Sequence, residues 1–379
     1  MKVPLVVEPE DSKWKLLREV LKCFDSRRFR QEMSKAKMRP VPKGASVIQV
    51  TMVALFFSED ISYVVTELKK REKLREYLQI DYVPDTTHIY RFLSRFTEKQ
   101  FLQMVFGVLN SLCKKRSSQD TVIIDSTDIQ IDLNWFRNTI KKKDLEDRDF
   151  AWGYSSTKGY YIGYKMTLVV EYPYLRPVYF CLHRGSPNDA RLFLEILSEL
   201  KRRRILRNGD TVIADRGYTS YNNYEKAFTL YKVIPLIFPR KNMDISRILS
   251  VSYPMDIFSQ KTPLEKTKQF FKDLQKKFAE LLPKWKDFRP LRGRIEDVFK
   301  LLKDGFFKEK IHRYTRKSCY RFVLLGVLLA GIIINKGFYS QELLQGLAES
   351  WVMEDPENLL MHYCKKSCLQ TALHYKMLL

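Results

Sequence analysis

The sequence has little of what secreted, disulfide-stabilised or membrane-spanning proteins carry. Only six of its 379 residues are cysteines, and most are scattered, which is typical of reduced thiols in a reducing compartment. The most apolar run, Phe322 to Asn335, is shorter than the roughly 20 residues that span a bilayer comfortably, and a buried helix fits it better. No secretory signal follows Met1. We therefore expect a cytoplasmic protein with no membrane partner.

Internal repeats and low-complexity segments are also lacking. Apolar residues make up 45 % of the chain, which excludes a mainly disordered protein. A chain of this length is large enough for two or three domains with a sizeable core.

One group of possible metal ligands lies near the C-terminus, at His362, Cys364, Cys368 and His374. Common zinc patterns separate two ligand pairs by a longer loop than this group has. The two cysteines also lie on a segment with helical spacing. We therefore favour an ordinary terminal helix over a zinc site.

Acidic residues are scarce relative to basic ones. The 67 Lys and Arg residues against 44 Asp and Glu residues give a formal net charge of +23. This excess indicates a polyanionic partner, most simply nucleic acid, although ribosomal and anionic-membrane proteins share it. Short basic runs occur at 69–71, 114–116, 141–143 and 202–204. Each is typical of a solvated helix face, and together they predict a broad basic surface that could grip long duplex segments.

The apolar pattern divides the chain into five parts. Residues 1–117 are mainly helical in pattern. Residues 118–239 begin with strands and then alternate strands with helices, which predicts a mixed α/β sheet. Residues 240–285 are polar and Lys-rich and resemble an insertion. Residues 286–340 return to apolar helices, and residues 341–379 form a helical tail.

A helix expected at residues 88–96 is a candidate for reading DNA. The preceding residues 85–87 form a good N-cap sequence, and the helix carries Arg91 and Arg95 beside an apolar stripe. It could be the recognition helix of a helix-turn-helix unit. Any surface helix with an apolar stripe would show the same pattern.

Two aspartates lie where strands are predicted to end. Asp125 follows the β-branched run at 121–124, and Asp215 follows the similar run at 211–214. In open α/β sheets, functional groups gather at the carboxyl ends of strands. An Asp at a strand end is, by itself, more often a turn or helix cap.

A third carboxylate, Glu296, lies on a predicted helix that begins at about Pro290. One face of this helix carries Arg292, Glu296, Lys300 and Lys303 at helical spacing. Such a set is usually a group of surface ion pairs, but an acid within a basic face also suits a site for both metal and phosphate. Phosphodiester cleavage needs an activated nucleophile and a stabilised leaving oxygen, which two Mg²⁺ ions supply through carboxylate ligands.

These residues resemble those of the DDE transposases of insertion sequences, in the group with a Tyr-Arg-Glu-Lys signature. The matching segments are 122–127, 213–218 and Arg292-x3-Glu296-x6-Lys303, with weaker matches at 159–165 and 185–190. The resemblance runs from about residue 85 to 335. Where the signature has Tyr, this chain has Arg289, which could serve a similar end in contacting phosphate.

The resemblance implies a ribonuclease H-like catalytic core, with the two aspartates on adjacent strands and the Glu on a later helix. It also implies an N-terminal DNA-binding domain and an insertion between Asp215 and Glu296. Such enzymes act as homodimers on double-stranded DNA, cut at the element ends and join the freed 3′-OH to target DNA. Asp125 would bridge two Mg²⁺ ions (Mn²⁺ as substitute), and Asp215 and Glu296 would each hold one.

Further roles follow for other residues. Arg292 and Lys303 would contact DNA phosphate, with Lys300 on the same helix face. Tyr218 could stack on a flipped base. Trp135 and Trp152 could do the same, although core packing is favoured for both. Less favoured candidates are Asp128 as a substitute for Asp125 and His183 as a group that activates water.

Three other functions stay open. A nuclease on the same core would cut without strand transfer, and a transposase-derived protein would bind DNA without cutting it. A basic RNA-binding protein would explain the charge but not the three carboxylates.

Overall fold

The computed structural model describes residues 12–39, 41, 43–112, 120–132, 150–155, 159–253, 265–307, 310–313 and 315–335. Within them, a seven-stranded mixed sheet is combined with helices, which confirms the predicted α/β class. Trp135, the His362–His374 cluster and the predicted tail lie outside the described residues.

Among the described residues, the longest strand pairing in the sheet is that between its first and third strands. The strands are β1 (Thr121–Ile131), β2 (Ala151–Ser155), β3 (Gly159–Tyr172), β4 (Arg176–Arg184), β5 (Thr211–Ala214), β6 (Ile234–Ile237) and β7 (Lys310–Ile311). β3 is antiparallel to β1 on one side and to β2 and β4 on the other. β1, β5 and β6 are parallel neighbours, and β7 pairs with the end of β1. β5 and β6 are buried throughout, as parallel strands covered on both faces are.

The N-terminal part consists of helices. They are α1 (Ser12–Cys23), α2 (Ser26–Lys35), α3 (Gly44–Phe56), α4 (Ile61–Lys70), α5 (Glu72–Leu78), α6 (Thr86–Ser94) and α7 (Glu98–Ser111). α7 begins with a capping box, in which Thr97 and Gln100 satisfy each other's backbone N–H groups. Asp85 precedes α6 as predicted, but its carboxylate pairs with Lys69 and makes no cap bond.

The remaining helices alternate with strands or follow them. They are α8 (Asp189–Arg202), α9 (Tyr221–Thr229), α10 (Ile245–Val251), α11 (Glu265–Leu281), α12 (Arg289–Lys300) and α13 (Arg316–Asn335). Short 3₁₀ turns span Arg216–Tyr218 and Leu282–Phe288, and a π-helix, Leu301–Phe306, continues α12. In the segment predicted as an insertion, α11 packs on β6 and sets Phe271 and Phe278 against Phe228 of α9.

The very apolar helix α13 forms the centre of the helical part. It has the length and composition of a membrane span, but 83 % of its apolar window is buried inside the protein. It packs against α1, α3, α7 and β4. The approach to α7 is close, because a Cβ added to Gly331 would lie 2.6 Å from the Leu109 side chain. The N-terminal helices thus share a continuous core with α13, while the predicted boundary at residue 117 falls outside the described residues.

Candidate active site

Asp125 lies on the central strand β1, on the face that α12 covers. It is 6 % exposed and pairs in register with Leu168 of β3. Since side chains alternate along a strand, Thr127 shares its face and Ser126 points to the other side. Ser126 confirms this alternation, because its hydroxyl bonds Thr167 and Tyr218 rather than any group of α12.

Asp215 is brought beside Asp125 by the parallel pairing of β1 and β5. Ala214 pairs with Ile124, so the residue that follows β5 lies next to Asp125. Asp215 occupies the N-cap position of the 3₁₀ turn but makes no side-chain cap bond. The capping role that a strand-end Asp often has is therefore not the role of this carboxylate here.

Arg292 of α12 lies among three carboxylates. Its Nη2 donates a hydrogen bond of 2.8 Å to Oδ2 of Asp125 and lies 4.0 Å from Oδ2 of Asp215. Its Nη1 bonds Glu296, one helical turn further along α12. One guanidinium therefore pairs with carboxylates from two strands and a helix.

The three carboxylates differ in how deeply they are buried. Asp125 is deeply buried, whereas 52 % of the Glu296 side chain is exposed. The pKa of Asp125 is raised to about 7, mainly by burial and to a smaller extent by the neighbouring Asp215 and Glu296, although Arg292 and the Ser126 backbone N–H act to lower it. Burial alone would lower the pKa of Arg292, but the three carboxylates raise it above its ordinary value. The site therefore favours a cation strongly.

The donor set suits a hard divalent cation. Mg²⁺ prefers carboxylate oxygens and water, and three carboxylates already surround one cationic group. Among the described residues no three acidic, His or Cys side chains lie close enough to hold a metal as they are placed, and Arg292 pairs with each of these three carboxylates. The three carboxylates therefore fit a divalent metal in their chemistry but not in this placement.

Lys303 contacts β1 through the π-helix that follows α12. Its Nζ lies 2.9 Å from Oδ1 of Asp128 and 3.1 Å from Oγ1 of Thr127. Gln130 donates to the other oxygen of Asp128. Asp128 and Lys303 are both largely buried, so Asp128 serves as the partner of Lys303, and the idea that it replaces Asp125 finds no support in this arrangement.

The two weaker sequence matches contact each other in the structure. The Lys165 Nζ lies 2.7 Å from Oδ2 of Asp189 and bonds the carbonyl of Pro187. The Gly185 N–H donates to the carbonyl of Gly163. Two segments about 20 residues apart thus hold each other in place at the edge of the sheet.

Comparison with known proteins identifies the family of the chain. The family model described as "Transposase DDE domain" matches residues 116–330, more than half of the chain. The chain belongs to the DDE transposase family. The resemblance inferred from the sequence is confirmed, and all three carboxylates lie inside the matched region.

Other comparisons add less. No curated protein matches the sequence. Among solved structures, the transposase is similar to one described as "Cryo-EM structure of piggyBac transposase synaptic complex with hairpin DNA". The identity is 10 %, the TM-score is 0.41, and the alignment covers 89 % of this chain and 79 % of that chain.

The structure places the predicted DNA-contacting residues of the transposase in different surroundings. Arg289, Lys300, Arg91 and Arg95 are exposed, whereas Lys303 is bonded to Asp128. Tyr218 is 1 % exposed, so its ring is not open to a flipped base in this structure. Its aromatic neighbour is Phe193 of α8.

His183 lies away from the carboxylates. It pairs in register with Lys165, and the next pair on the same face of the sheet is Thr167 with Cys181. This face is opposite to that of Asp125, because Thr167 bonds Ser126. Its Nε2 lies 3.1 Å from Sγ of Cys181. It is therefore not placed to activate water at Asp125.

Proposed function

We propose that this transposase is a metal-dependent DNA recombinase that cuts at the ends of a mobile element and joins the freed 3′-OH to target DNA. The observation that carries the proposal is the meeting of Asp125, Asp215 and Glu296 at a single cation, Arg292. In a DDE transposase, three acids in one place are what phosphodiester chemistry requires.

The sheet supports a ribonuclease H-like catalytic core. Read across the sheet, the five main strands run β4, β3, β1, β5, β6, with the first three antiparallel and the last three parallel. The two aspartates come from the adjacent strands β1 and β5, and the Glu comes from the later helix α12. This is the placement that the sequence resemblance implies.

Two Mg²⁺ ions, or Mn²⁺ in their place, would be held by Asp125, Asp215 and Glu296. When bound, they would activate the attacking oxygen and stabilise the leaving oxygen. Arg292 has to leave the carboxylates first, because its guanidinium and a metal compete for the same oxygens. Once released, it is free to bind a DNA phosphate through paired N–H groups.

The DNA partner is proposed from charge and exposure. Arg289 and Lys300 lie exposed at the two ends of α12, the helix that carries Glu296, and Arg91 and Arg95 lie exposed at the C-terminal end of α6. A chain with a net charge of +23 would bind double-stranded DNA with a steep dependence on salt. Two element ends cut together would require a homodimer on DNA.

Cleavage of a labelled duplex that carries the terminal repeats of the element tests the proposal. Wild type in Mg²⁺ or Mn²⁺ should cut at the repeat boundary, whereas Asp125→Asn and Glu296→Gln should not. Glu280→Gln, an exposed Glu on α11, is the matched control and should cut normally. Products joined to a second duplex establish strand transfer.

Two results would contradict the proposal and favour another function. Cleavage without joined products would favour a nuclease on the same fold. Salt-sensitive binding with no cleavage in either metal would favour a transposase-derived DNA-binding protein.

A further inference from the structure

Asn223 is a buried amide in the first turn of α9. It is 2 % exposed, and its Nδ2 donates hydrogen bonds of 2.8 Å to the carbonyls of Ala190 and Tyr218. Both partners can only accept, so the amide nitrogen must face them. Asparagine has a low helix propensity and is costly to bury without partners. The two bonds therefore explain this residue better than helix formation or apolar packing does.

The bonds of Asn223 join two segments that are far apart in the sequence. Ala190 lies in the first turn of α8 and ends the segment 185–190, whereas Tyr218 ends the segment 213–218. Both segments match the transposase pattern, but the first contains none of the three carboxylates. Through Asn223, the start of α8 is tied to the turn that follows β5.

Strand pairing ends just before Asp215. The last pair between β1 and β5 is Ile124 with Ala214. The Asp215 carboxylate makes no cap bond and lies 4.0 Å from Arg292, which is too far for a hydrogen bond. The backbone carbonyl of Asp215 accepts from the N–H of Tyr218 at 3.0 Å. The position of Asp215 is therefore coupled to that of Tyr218, which Asn223 holds.

The start of α8 is itself anchored to the sheet. Lys165 of β3 lies 2.7 Å from Oδ2 of Asp189 and 3.0 Å from the carbonyl oxygen of Pro187. Asp189 also lies against Gly217, where an added Cβ would be 3.2 Å from Oδ2. β3 pairs along most of its length with β1, the strand of Asp125. A tie to α8 therefore fixes the turn relative to Asp125.

Thr219, the residue after the turn, is held from another direction. Its hydroxyl donates to the carbonyl of Phe238 at 2.9 Å, directly beyond β6. β6 lies on the side of β5 that faces away from β1. The turn is thus held by Thr219 towards β6 and by Asn223 towards α8 and β3.

We infer that Asn223 is a positioning residue, which sets the place of the Asp215 carboxylate relative to Asp125. This deepens the proposed function and rests on it, since the exact place of Asp215 matters for catalysis only if the three carboxylates hold a metal. Because Asn223 is buried, it acts through the backbone of the turn rather than by contact with DNA. Bonds that orient a metal ligand from behind typically change metal affinity or activity about 10–100-fold when they are removed.

Titration of DNA-free Asn223→Ala with Mn²⁺ by isothermal titration calorimetry tests the inference. Without the two bonds the turn can shift, so the dissociation constant for Mn²⁺ should rise about tenfold over wild type. Affinity for the terminal-repeat duplex in EDTA should stay within about twofold, because the phosphate contacts are unchanged. At saturating DNA, cleavage in Mn²⁺ should slow by about tenfold or more.

Tyr224→Phe is the matched control. Tyr224 is the next residue of α9, and its buried hydroxyl donates to the carbonyl of Ile237 in β6 at 2.6 Å. The variant should lose stability to urea, as Asn223→Ala does, but should bind Mn²⁺ as wild type does. If Asn223 only stabilised the fold, both variants would keep the affinity of wild type for Mn²⁺.

Gly217→Ala shifts the same turn without removing a hydrogen bond. Its added Cβ would crowd Asp189 at 3.2 Å, so this variant should also weaken the binding of Mn²⁺. It keeps the inference testable if Asn223→Ala does not fold, and Mn²⁺ binding by Gly217→Ala as tight as that of wild type would then contradict it.

Hydrogen–deuterium exchange of the metal-free proteins gives a reading that needs no metal. The N–H of Tyr218 should exchange faster in Asn223→Ala than in wild type or Tyr224→Phe, while β5 exchanges as in wild type. Unchanged exchange at Tyr218, or equal Mn²⁺ affinity of Asn223→Ala and Tyr224→Phe, would overturn the inference. A wild type that binds no Mn²⁺ or cuts no DNA contradicts the proposed function instead, and the exchange at Tyr218 still decides whether Asn223 holds the turn.

Discussion

Arg292 donates a hydrogen bond of 2.8 Å to Asp125, and this pair joins the most buried carboxylate of the site to the helix that carries the third one. A buried carboxylate without a partner is costly, so Arg292 stabilises the site in the absence of metal. The same contact means that metal entry and release of Arg292 are coupled.

Arg292→Gln should bind metal more tightly than wild type. The substitution removes the cation that competes for the three carboxylates, so we expect the dissociation constant for Mn²⁺ to fall about tenfold, which corresponds to about 1.4 kcal/mol. Isothermal titration calorimetry on DNA-free protein measures it. Cleavage should nevertheless slow, because the phosphate contact is lost.

The control for this variant is Arg91→Gln, which removes an exposed positive charge from α6, far from the carboxylates along the chain. Its Mn²⁺ affinity should equal that of wild type. An Arg292→Gln protein that binds Mn²⁺ no better than Arg91→Gln would mean that Arg292 does not compete with the metal.

Asp125 should make stability depend on pH in metal-free buffer. Burial raises its pKa from 3.8 to about 7, so between these values the folded protein retains a proton that the unfolded chain releases. Its contribution to stability is fully present below pH 3.8 and is lost as pH rises through about 7. Relative to Asp125→Asn, wild type should lose at most about 1.4 kcal/mol per pH unit over that range.

Urea unfolding of both proteins between pH 5 and 8 in EDTA measures this difference. Because all other titrating groups are shared, subtraction isolates Asp125. Stability curves that run parallel from pH 5 to 8 would show that Asp125 is already ionised in the folded protein at pH 5.

The pair of Lys303 and Asp128 should stabilise the contact between β1 and the π-helix that continues α12. Lys303→Met and Asp128→Asn each leave a largely buried polar partner behind, so each should cost about 1–3 kcal/mol. The double variant should cost less than the sum of the two. The exposed pair Arg202 and Glu199 is the control, and its loss should cost at most about 1 kcal/mol. Additive costs at Lys303 and Asp128 would show that they do not interact.

Much of the fold could be predicted from periodicity, because most elements bury one face. The helix predicted to begin at about Pro290 is α12, and the strand predicted at 211–214 is β5. β1 was predicted only to Asp125, yet it continues to Ile131. The polar residues beyond Asp125 do not look like a strand, and their partners, Tyr218 and Lys303, lie far away in the sequence.

The helix face was predicted only in part. Regular α-helical spacing places Lys300 and Lys303 together with Arg292 and Glu296. In the structure Lys300 is exposed and Lys303 turns inward, because the helix widens into a π-helix after residue 300. Such a change of helix type is common at functional sites but leaves no mark on a pattern of apolar and polar residues.

Tyr218→Phe should lower stability without changing the affinity for DNA. The Tyr218 hydroxyl lies 2.6 Å from that of Ser126 in the core, so its loss should cost about 0.5–1.5 kcal/mol. Tyr224→Phe is the matched control, because its buried hydroxyl donates to the carbonyl of Ile237 at 2.6 Å and its loss should cost a similar amount. Fluorescence anisotropy with the terminal-repeat duplex should give the same affinity for wild type and both variants, since neither ring is exposed. Weaker DNA binding by Tyr218→Phe alone would mean that Tyr218 leaves the core and contacts DNA, as the sequence first led us to expect.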